Sequence, residues 1–225
     1  MSDFKTAITI ASIEGNIGSG KSTLLKNLKD HFNSNAKRRV VFLKEPVDEW
    51  ENIKDSQGNT MLQKFYRNQK KYAFSFQMMA YISRLAEFKK AVKENPDASI
   101  FISERSLDTD KYVFAQMLFD AGEIEDVNYQ IYTKWFDVFA EEFPITKVIY
   151  VNAEPNICHT RIMKRSRTGE DCIPLDYLEN CHKYHENMMS KCIKAPCLEL
   201  DGNIDIYENS DVVQSWIEKI KTFIN

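Results

Sequence analysis

Short continuous apolar runs recur along the chain, and between them the apolar positions fall into a three-to-four-residue period. Runs of this length, rich in β-branched residues, read as buried strands. They predict strands at residues 7–13, 40–43, 100–102, 148–151 and 197–200. The periodic stretches predict helices over residues 21 to about 32, 71–93, 110–121, 128–142, from Pro155 onward, and over 212–223. The long helix stops before Asn95-Pro96, because proline pushes the residue ahead of it out of helical geometry. Polar residues 51–60 and 168–172 read as surface loops. Strands without polar alternation, each followed by a helix, build a parallel sheet covered on both faces. The expectation is one α/β domain over residues 1–225 with a five-stranded parallel sheet flanked by helices.

Composition narrows the class. The 225 residues suffice for one sizeable core. Hydrophobic residues make up 43% and charged residues 28%, the balance of an ordinary globular domain. A net charge of −3 offers no overall field for a nucleic-acid polymer or an anionic membrane. No apolar run is long enough to span a bilayer, and MSDFKTAITIASIEG lacks the basic segment of a secretory signal. Cys158, Cys172, Cys181, Cys192 and Cys197 form no CxxC pair and no spacing suited to zinc. Free thiols in a reducing compartment follow. Residues 1–3 are too short for an organelle address, so a cytoplasmic protein is expected.

Three of the seven glycines crowd into IEGNIGSGKSTLL, residues 13–25. Gly15, Gly20, Lys21 and Ser22 take the fixed positions of G-x-x-x-x-G-K-[ST], with Asn16, Ile17, Gly18 and Ser19 between them and Thr23 next. The motif follows a predicted strand and opens a predicted helix, which is the context it requires. A phosphate chain lying against backbone N–H groups needs side chains out of the way and unusual φ values. The helix N-terminus adds partial positive charge, Lys21 reaches the outer phosphates, and Ser22 can ligate magnesium. The stretch predicts a site for a nucleoside triphosphate with magnesium.

Three further stretches bear on what receives the phosphate. In LKEPVDEW, residues 43–50, Glu45 lies just past a strand, at the carboxyl edge where open α/β sheets bind ligands. A carboxylate there can take a proton from an attacking hydroxyl, although position alone also fits a solvated loop acid. In YAFSFQMMAYISRLAEF, residues 72–88, Gln77, Tyr81 and Arg84 share one helix face, with Ala80 beside them. A buried amide can read a nucleobase edge, but the same spacing fits polar residues on a solvent side. In FISERSLDTDKYVF, residues 101–114, a strand ends in Glu104-Arg105-Ser106. Glu104 can complete a magnesium shell or form an ordinary strand-end ion pair. Asp110 lies one turn before Phe114, and it suits Arg84, a charge in an apolar helix that needs a partner.

Arg161, Lys164, Arg165 and Arg167 crowd together in RIMKRSRTGEDCIPLDY, residues 161–177. Such charge repels itself until an anion arrives, and a lid closing over transferring phosphates brings one. A solvated basic face is the plainer alternative.

Taken in order, EGNIGSGKST, EPVDEW, MLQKFYRN, FSFQMMAYISR, ERSLDTDKYVF, RIMKRSRTGEDCIPLDYL and LELDGNIDIY closely resemble the deoxyribonucleoside kinase family. The resemblance runs from Glu14 to Tyr207 and implies a P-loop kinase fold with an arginine-rich lid at about residues 161–174. It implies phosphorylation of a nucleoside 5′-hydroxyl by ATP, with Mg2+, in nucleotide salvage. It makes Glu45 the general base, Arg105 the holder of the hydroxyl and of developing phosphoryl charge, and Glu104 the acid associated with magnesium. Gln77 matches the glutamine that bonds the base, Phe114 the aromatic stacked on it, and Trp50 a pocket wall. Tyr66 and Glu170 match the pair on the sugar 3′-hydroxyl. Arg161, Arg165 and Arg167 match the lid arginines, Arg161 also beside the adenine, and Asp205 and Ile206 match the loop over that adenine. The family usually places an aromatic residue where this chain has Ile206, which weakens adenine stacking there.

Ala80, Arg84 and Asp110 together resemble the branch acting on deoxycytidine and deoxypurines. In the thymidine-preferring branch smaller or apolar residues leave room for the 5-methyl group. Met78 and Met79 depart from the deoxycytidine kinase pattern. Deoxycytidine, deoxyadenosine and deoxyguanosine are the expected substrates, with a thymidine-preferring or multisubstrate enzyme as the alternative. A nucleoside monophosphate kinase fits less well, because Glu45 would repel a monophosphate. A non-catalytic nucleotide switch accounts for the P-loop but not for Gln77, Tyr66 and the lid. The family is typically homodimeric, through helices corresponding to residues 110–121 and 128–142. The aromatic YQIYTKWFDVF, residues 129–139, fits an interface or a core equally.

Overall fold

The computed structural model describes residues 8–33, 40–165, 173–206 and 209–225. Strand β1 (Thr9–Glu14) leads into helix α1 (Lys21–Asn33), and β2 (Val40–Leu43) is followed by α2 (Val47–Asn52), α3 (Met61–Arg67) and α4 (Gln69–Glu94). After β3 (Ile100–Glu104), α5 (Leu107–Thr109), a π-helical stretch at Asp110–Ala115 and α6 (Gln116–Asp120) run on as one irregular helix. Then come α7 (Asp126–Phe139), β4 (Lys147–Asn152), α8 (Pro155–Arg165), α9 (Leu175–Asn187), β5 (Cys197–Asp201) and α10 (Ser210–Ile224).

All pairings in the five-stranded sheet are parallel, in the order β2-β3-β1-β4-β5. Ile10, Ala11 and Ile13 of β1 and Ile100, Phe101 and Ile102 of β3 are buried, as central strands covered on both faces require. On one face the core joins Leu24, Leu25 and Leu28 of α1 to Trp216, Ile217 and Ile220 of α10. On the other, Phe88 and Ala91 of α4 pack with Ile10, Leu43 and Phe101. Edge strand β5 departs from the expected pattern, because Cys197, Glu199 and Asp201 are exposed.

The predicted strands lie within one or two residues of the observed ones, but α2, α3 and α9 were not anticipated. Helix α2 begins inside EPVDEW and takes the first residues of the expected 51–60 loop. The rest of that loop is ordered by Asp55, whose Oδ1 accepts from the Gln57 and Asn59 backbone amides at 3.0 and 2.9 Å. Helix α3 opens on a capping box, in which Thr60 and Gln63 satisfy each other's backbone amides. The expected loop at 168–172 lies outside the described residues.

Helix α4 is largely apolar over residues 72–88 because it meets different neighbours on two sides, while Ser75, Ile82 and Ala86 face solvent. Tyr81 and Leu85 pack with Tyr132 and Phe136 of α7, and Phe76 and Ala80 pack with Trp50 and Phe65. The aromatic segment of α7 divides accordingly. Tyr132 and Phe136 are core, while Val127, Ile131, Trp135 and Val138 are exposed.

Candidate active site

The loops that leave β1, β2 and β3 converge at the carboxyl edge of the sheet, where β1 lies between β3 and β4. The P-loop leaves β1 under tight steric limits. Gly15 has φ +140°, and a Cβ on it would stand 2.4 Å from the Val151 carbonyl oxygen of β4. Gly18 has φ +81°, and its Cβ would stand 2.6 Å from the Cys158 carbonyl oxygen of α8. The Asn16 side chain locks the turn, donating to the Leu178 carbonyl at 2.9 Å and accepting from the Ile17 amide at 2.8 Å. Lys21 Nζ donates to the Asn16 carbonyl at 2.6 Å. Burial lowers the Lys21 ammonium to about 7, and Arg105 adds to the shift against weaker opposing pulls from Glu104 and Glu45. Ser22 Oγ, at the start of α1, donates to Glu104 Oε1 at 2.5 Å.

Glu45 sits beyond β2 between two guanidinium groups. Arg84 Nη2 lies 3.2 Å and Arg105 Nε 3.4 Å from its Oε1. Burial favours its neutral form, but Arg105, Arg84 and Lys21 outweigh burial and hold the carboxyl below its ordinary range. Glu45 is therefore a carboxylate at neutral pH. Arg105 has φ +62°, the one positive value among the described non-glycine residues. A side chain there costs about 1–3 kcal/mol, a strain typical of functional positions. Its backbone amide continues the ladder by donating to the Ile13 carbonyl at 3.0 Å. Its guanidinium carbon lies 5.0 Å from the Phe114 ring centroid, and its buried Nη1 has no hydrogen-bond partner.

The expected Arg84–Asp110 pair is present, with Nε to Oδ2 at 2.9 Å and Nη2 to Oδ1 at 3.4 Å. Arg84 Nη1 donates to the Glu104 carbonyl at 2.7 Å. Burial disfavours the Arg84 cation, but Asp110 and Glu45 more than offset it, so Arg84 stays charged.

A single cavity of about 520 Å³ gathers most of the predicted residues. Ile17, Gly18, Ser19, Gly20, Lys21, Ser22 and Thr23 line one part, with Arg161, Arg165, Asp205 and Ile206. Glu45, Trp50, Tyr66, Gln77, Ala80, Glu104, Arg105, Asp110 and Phe114 line the rest. Gln77 is 2% exposed, and its Oε1 has no partner, so an acceptor is held ready at the wall. Trp50 is fixed by its indole N–H, which donates to Ser83 Oγ at 2.8 Å. Arg161 donates to the carbonyls of Ser19, Gly202 and Ile204 at 3.4, 2.7 and 3.1 Å. The crowding of charge expected in this segment is thus relieved at Arg161 by backbone oxygens before any anion binds.

Not every expected residue faces the cavity. Arg84 does not line the cavity, because Asp110, Glu45 and the Glu104 carbonyl engage its guanidinium; it stands behind the wall and holds those groups. Tyr81 leaves the Gln77 face for the α7 core, its hydroxyl donating to the Trp135 carbonyl at 3.2 Å. Gly15 and Asn16 shape the loop without lining the cavity. Met78 and Met79 do not reach it either. Arg167 and Glu170 lie outside the described residues. Tyr177, Phe65, Phe76 and Trp216 also line the cavity and were not singled out from sequence. Tyr177 stands edge-on to Tyr66 at 6.4 Å between ring centroids.

The family model for deoxynucleoside kinases matches residues 11–225. The chain is 34% identical to the probable deoxycytidine kinase of fowlpox virus (strain NVSL), over 95% of this chain and 87% of that protein. It is 32% identical to the deoxycytidine kinase of Homo sapiens, over 98% of this chain and 92% of that one. The mitochondrial deoxyguanosine kinase of Xenopus laevis is 29% identical, over 95% and 88%. With a P-loop, a strand-tip carboxylate and a buried amide facing one cavity, and with a family match over nearly its whole length, the chain belongs to the deoxynucleoside kinase family and is a phosphotransferase.

Proposed function

We propose that the protein transfers the γ-phosphoryl group of ATP to the 5′-hydroxyl of a deoxynucleoside, favouring deoxycytidine and the deoxypurine nucleosides over thymidine. The observation that carries this reading is the Glu45 carboxylate, kept ionised by Arg105 and Arg84 and lining the same cavity as Lys21 and Gln77. The oxygen loses its proton to Glu45 as its bond to phosphorus forms and the bond to ADP breaks. Arg105 offers an unpartnered nitrogen to the hydroxyl and to the charge that develops on phosphorus. Gln77 receives the base edge, Phe114 and Trp50 flank it, and Tyr66 with Glu170 holds the sugar. Arg161, Arg165 and Arg167 belong to the lid over the phosphates. The oxygens of Ser22 and Glu104 are hard donors that fit a magnesium ion, which when bound supplies charge neutralisation for the phosphates.

The preference rests on Asp110, a carboxylate at the cavity wall fixed from behind by Arg84, and on the names of the relatives. A carboxylate suits an exocyclic amine and leaves an apolar 5-methyl group unmatched. We also infer a homodimer formed through α7 and a cytoplasmic location.

The test pairs a substrate panel with one variant. The four natural deoxynucleosides are assayed with ATP, and Glu45→Gln is assayed on the best of them. Deoxycytidine or a deoxypurine nucleoside gives the highest kcat/KM, and Glu45→Gln loses about 10²–10⁴ in kcat while remaining folded at the assay temperature. Thymidine as best substrate overturns the preference, and undiminished turnover of the folded variant overturns the mechanism.

A further inference from the structure

Trp216 has two neighbourhoods. Most of its indole belongs to the core between α10 and α1, and the residue is 7% exposed. It also lines the cavity, as does Ile206, which packs against the same core cluster. That part of the cavity adjoins the P-loop through Arg161, which bonds the Ser19, Gly202 and Ile204 carbonyls. With the triphosphate on the P-loop, as the proposed function has it, the nucleoside part of the donor extends toward this end. The other aromatic residues lining the cavity, from Trp50 to Tyr177, sit with Gln77 and Glu45 on elements that precede β4 or on α9. Among the described residues Trp216 is therefore the only aromatic ring contributed to the cavity by the segment from β5 onward. Position 206 holds an isoleucine, so residues 202–206 carry no aromatic ring.

We propose that Trp216 is the donor-base contact of this kinase, with an α10 residue carrying the aromatic surface that the 202–206 loop lacks. A ring already packed against α1 loses little freedom on binding, unlike a ring carried on a loop. The Gly202 and Ile204 carbonyls are engaged by Arg161, so apolar contact with the base carries more of the recognition here. This assignment rests on the donor site proposed above.

Two variants test it. Trp216→Leu removes the ring and keeps the core apolar, and Trp216→Phe keeps a smaller ring. In Trp216→Leu the KM for ATP rises about tenfold while the KM for the deoxynucleoside stays unchanged, and Trp216→Phe restores most of the loss. Separately, a non-hydrolysable ATP analogue, added without deoxynucleoside, changes the tryptophan emission of the parent protein and not that of Trp216→Phe. An unchanged KM for ATP in folded Trp216→Leu overturns the proposal, as does a parallel rise of both KM values. So does an emission change that is absent in the parent or persists in Trp216→Phe. If Trp216→Leu unfolds early in a thermal melt, the emission titration of the parent against Trp216→Phe decides. If no deoxynucleoside is phosphorylated, the proposed function fails while the emission titration still decides the role of Trp216.

Discussion

Lys21 gives the site its pH dependence. An ordinary lysine stays charged to about pH 10, whereas burial brings Lys21 to about 7 in the free protein. As pH rises above neutrality the fraction of free protein with charged Lys21 falls, and productive capture of ATP falls with it. Bound phosphates favour the ammonium and pull the pKa back up. The expected result is a kcat/KM for ATP that declines above about pH 7, while kcat at saturating ATP stays level over the same range. Initial rates at fixed free magnesium between pH 6 and 9 check this. Lys21→Arg, whose guanidinium does not titrate there, flattens the decline whatever its absolute rate. Glu45 contributes no limb in this window, because its carboxyl lies below the ordinary range.

Contacts between elements decide how the P-loop is held. Gly18 faces α8 so closely that a methyl group would meet the Cys158 carbonyl oxygen at 2.6 Å and Ile162 at 3.0 Å. Its φ of +81° adds strain for any other residue. Gly18→Ala is expected to push α8 from the loop, costing about 2 kcal/mol and roughly 4–8 °C in Tm, with a higher KM for ATP. A thermal melt beside an ATP titration measures both effects.

Much of this level was legible in the chain. Strand–turn–helix context made the glycine motif readable, and the apolar runs gave β2 to the residue and the other strands closely. The Arg84–Asp110 pair followed from the rule that a buried charge needs a partner. Part of the cavity wall was not legible: Phe76 and Trp216 look like core residues, and periodicity does not distinguish a side chain facing core from one facing a cavity. Nor does spacing alone reveal that Tyr81 turns toward α7 while Gln77, four residues earlier, faces the cavity. The short helices α2 and α3 carry too few turns to show a period, although Thr60 and Gln63 offered a capping signal.

For the whole molecule the open question of YQIYTKWFDVF resolves into two faces of one helix. Val127, Ile131, Trp135 and Val138 recur at spacings of four, four and three, and they are 64%, 40%, 46% and 55% exposed. The irregular helix over 107–120, expected to share the interface, buries Val113, Ala115, Met117 and Leu118 and has no exposed large apolar residue among those described. The proposed dimer therefore turns on α7. Sedimentation is expected to give a dimer for the parent and a monomer for Trp135→Asp with Val138→Asp, the Tm of the isolated fold being little changed because both residues are surface positions. A parent that sediments as a monomer, or a variant that still sediments as a dimer, rejects this interface.

The three carbonyl bonds of Arg161 have a consequence at this scale. One guanidinium rivets the phosphate cradle to the chain that crosses over after β5, so neither rim shifts alone. Damage introduced at Gly202, which is wedged against Asn152 and Ala153, should be felt at Ser19 through that rivet, far along the sequence from the injury.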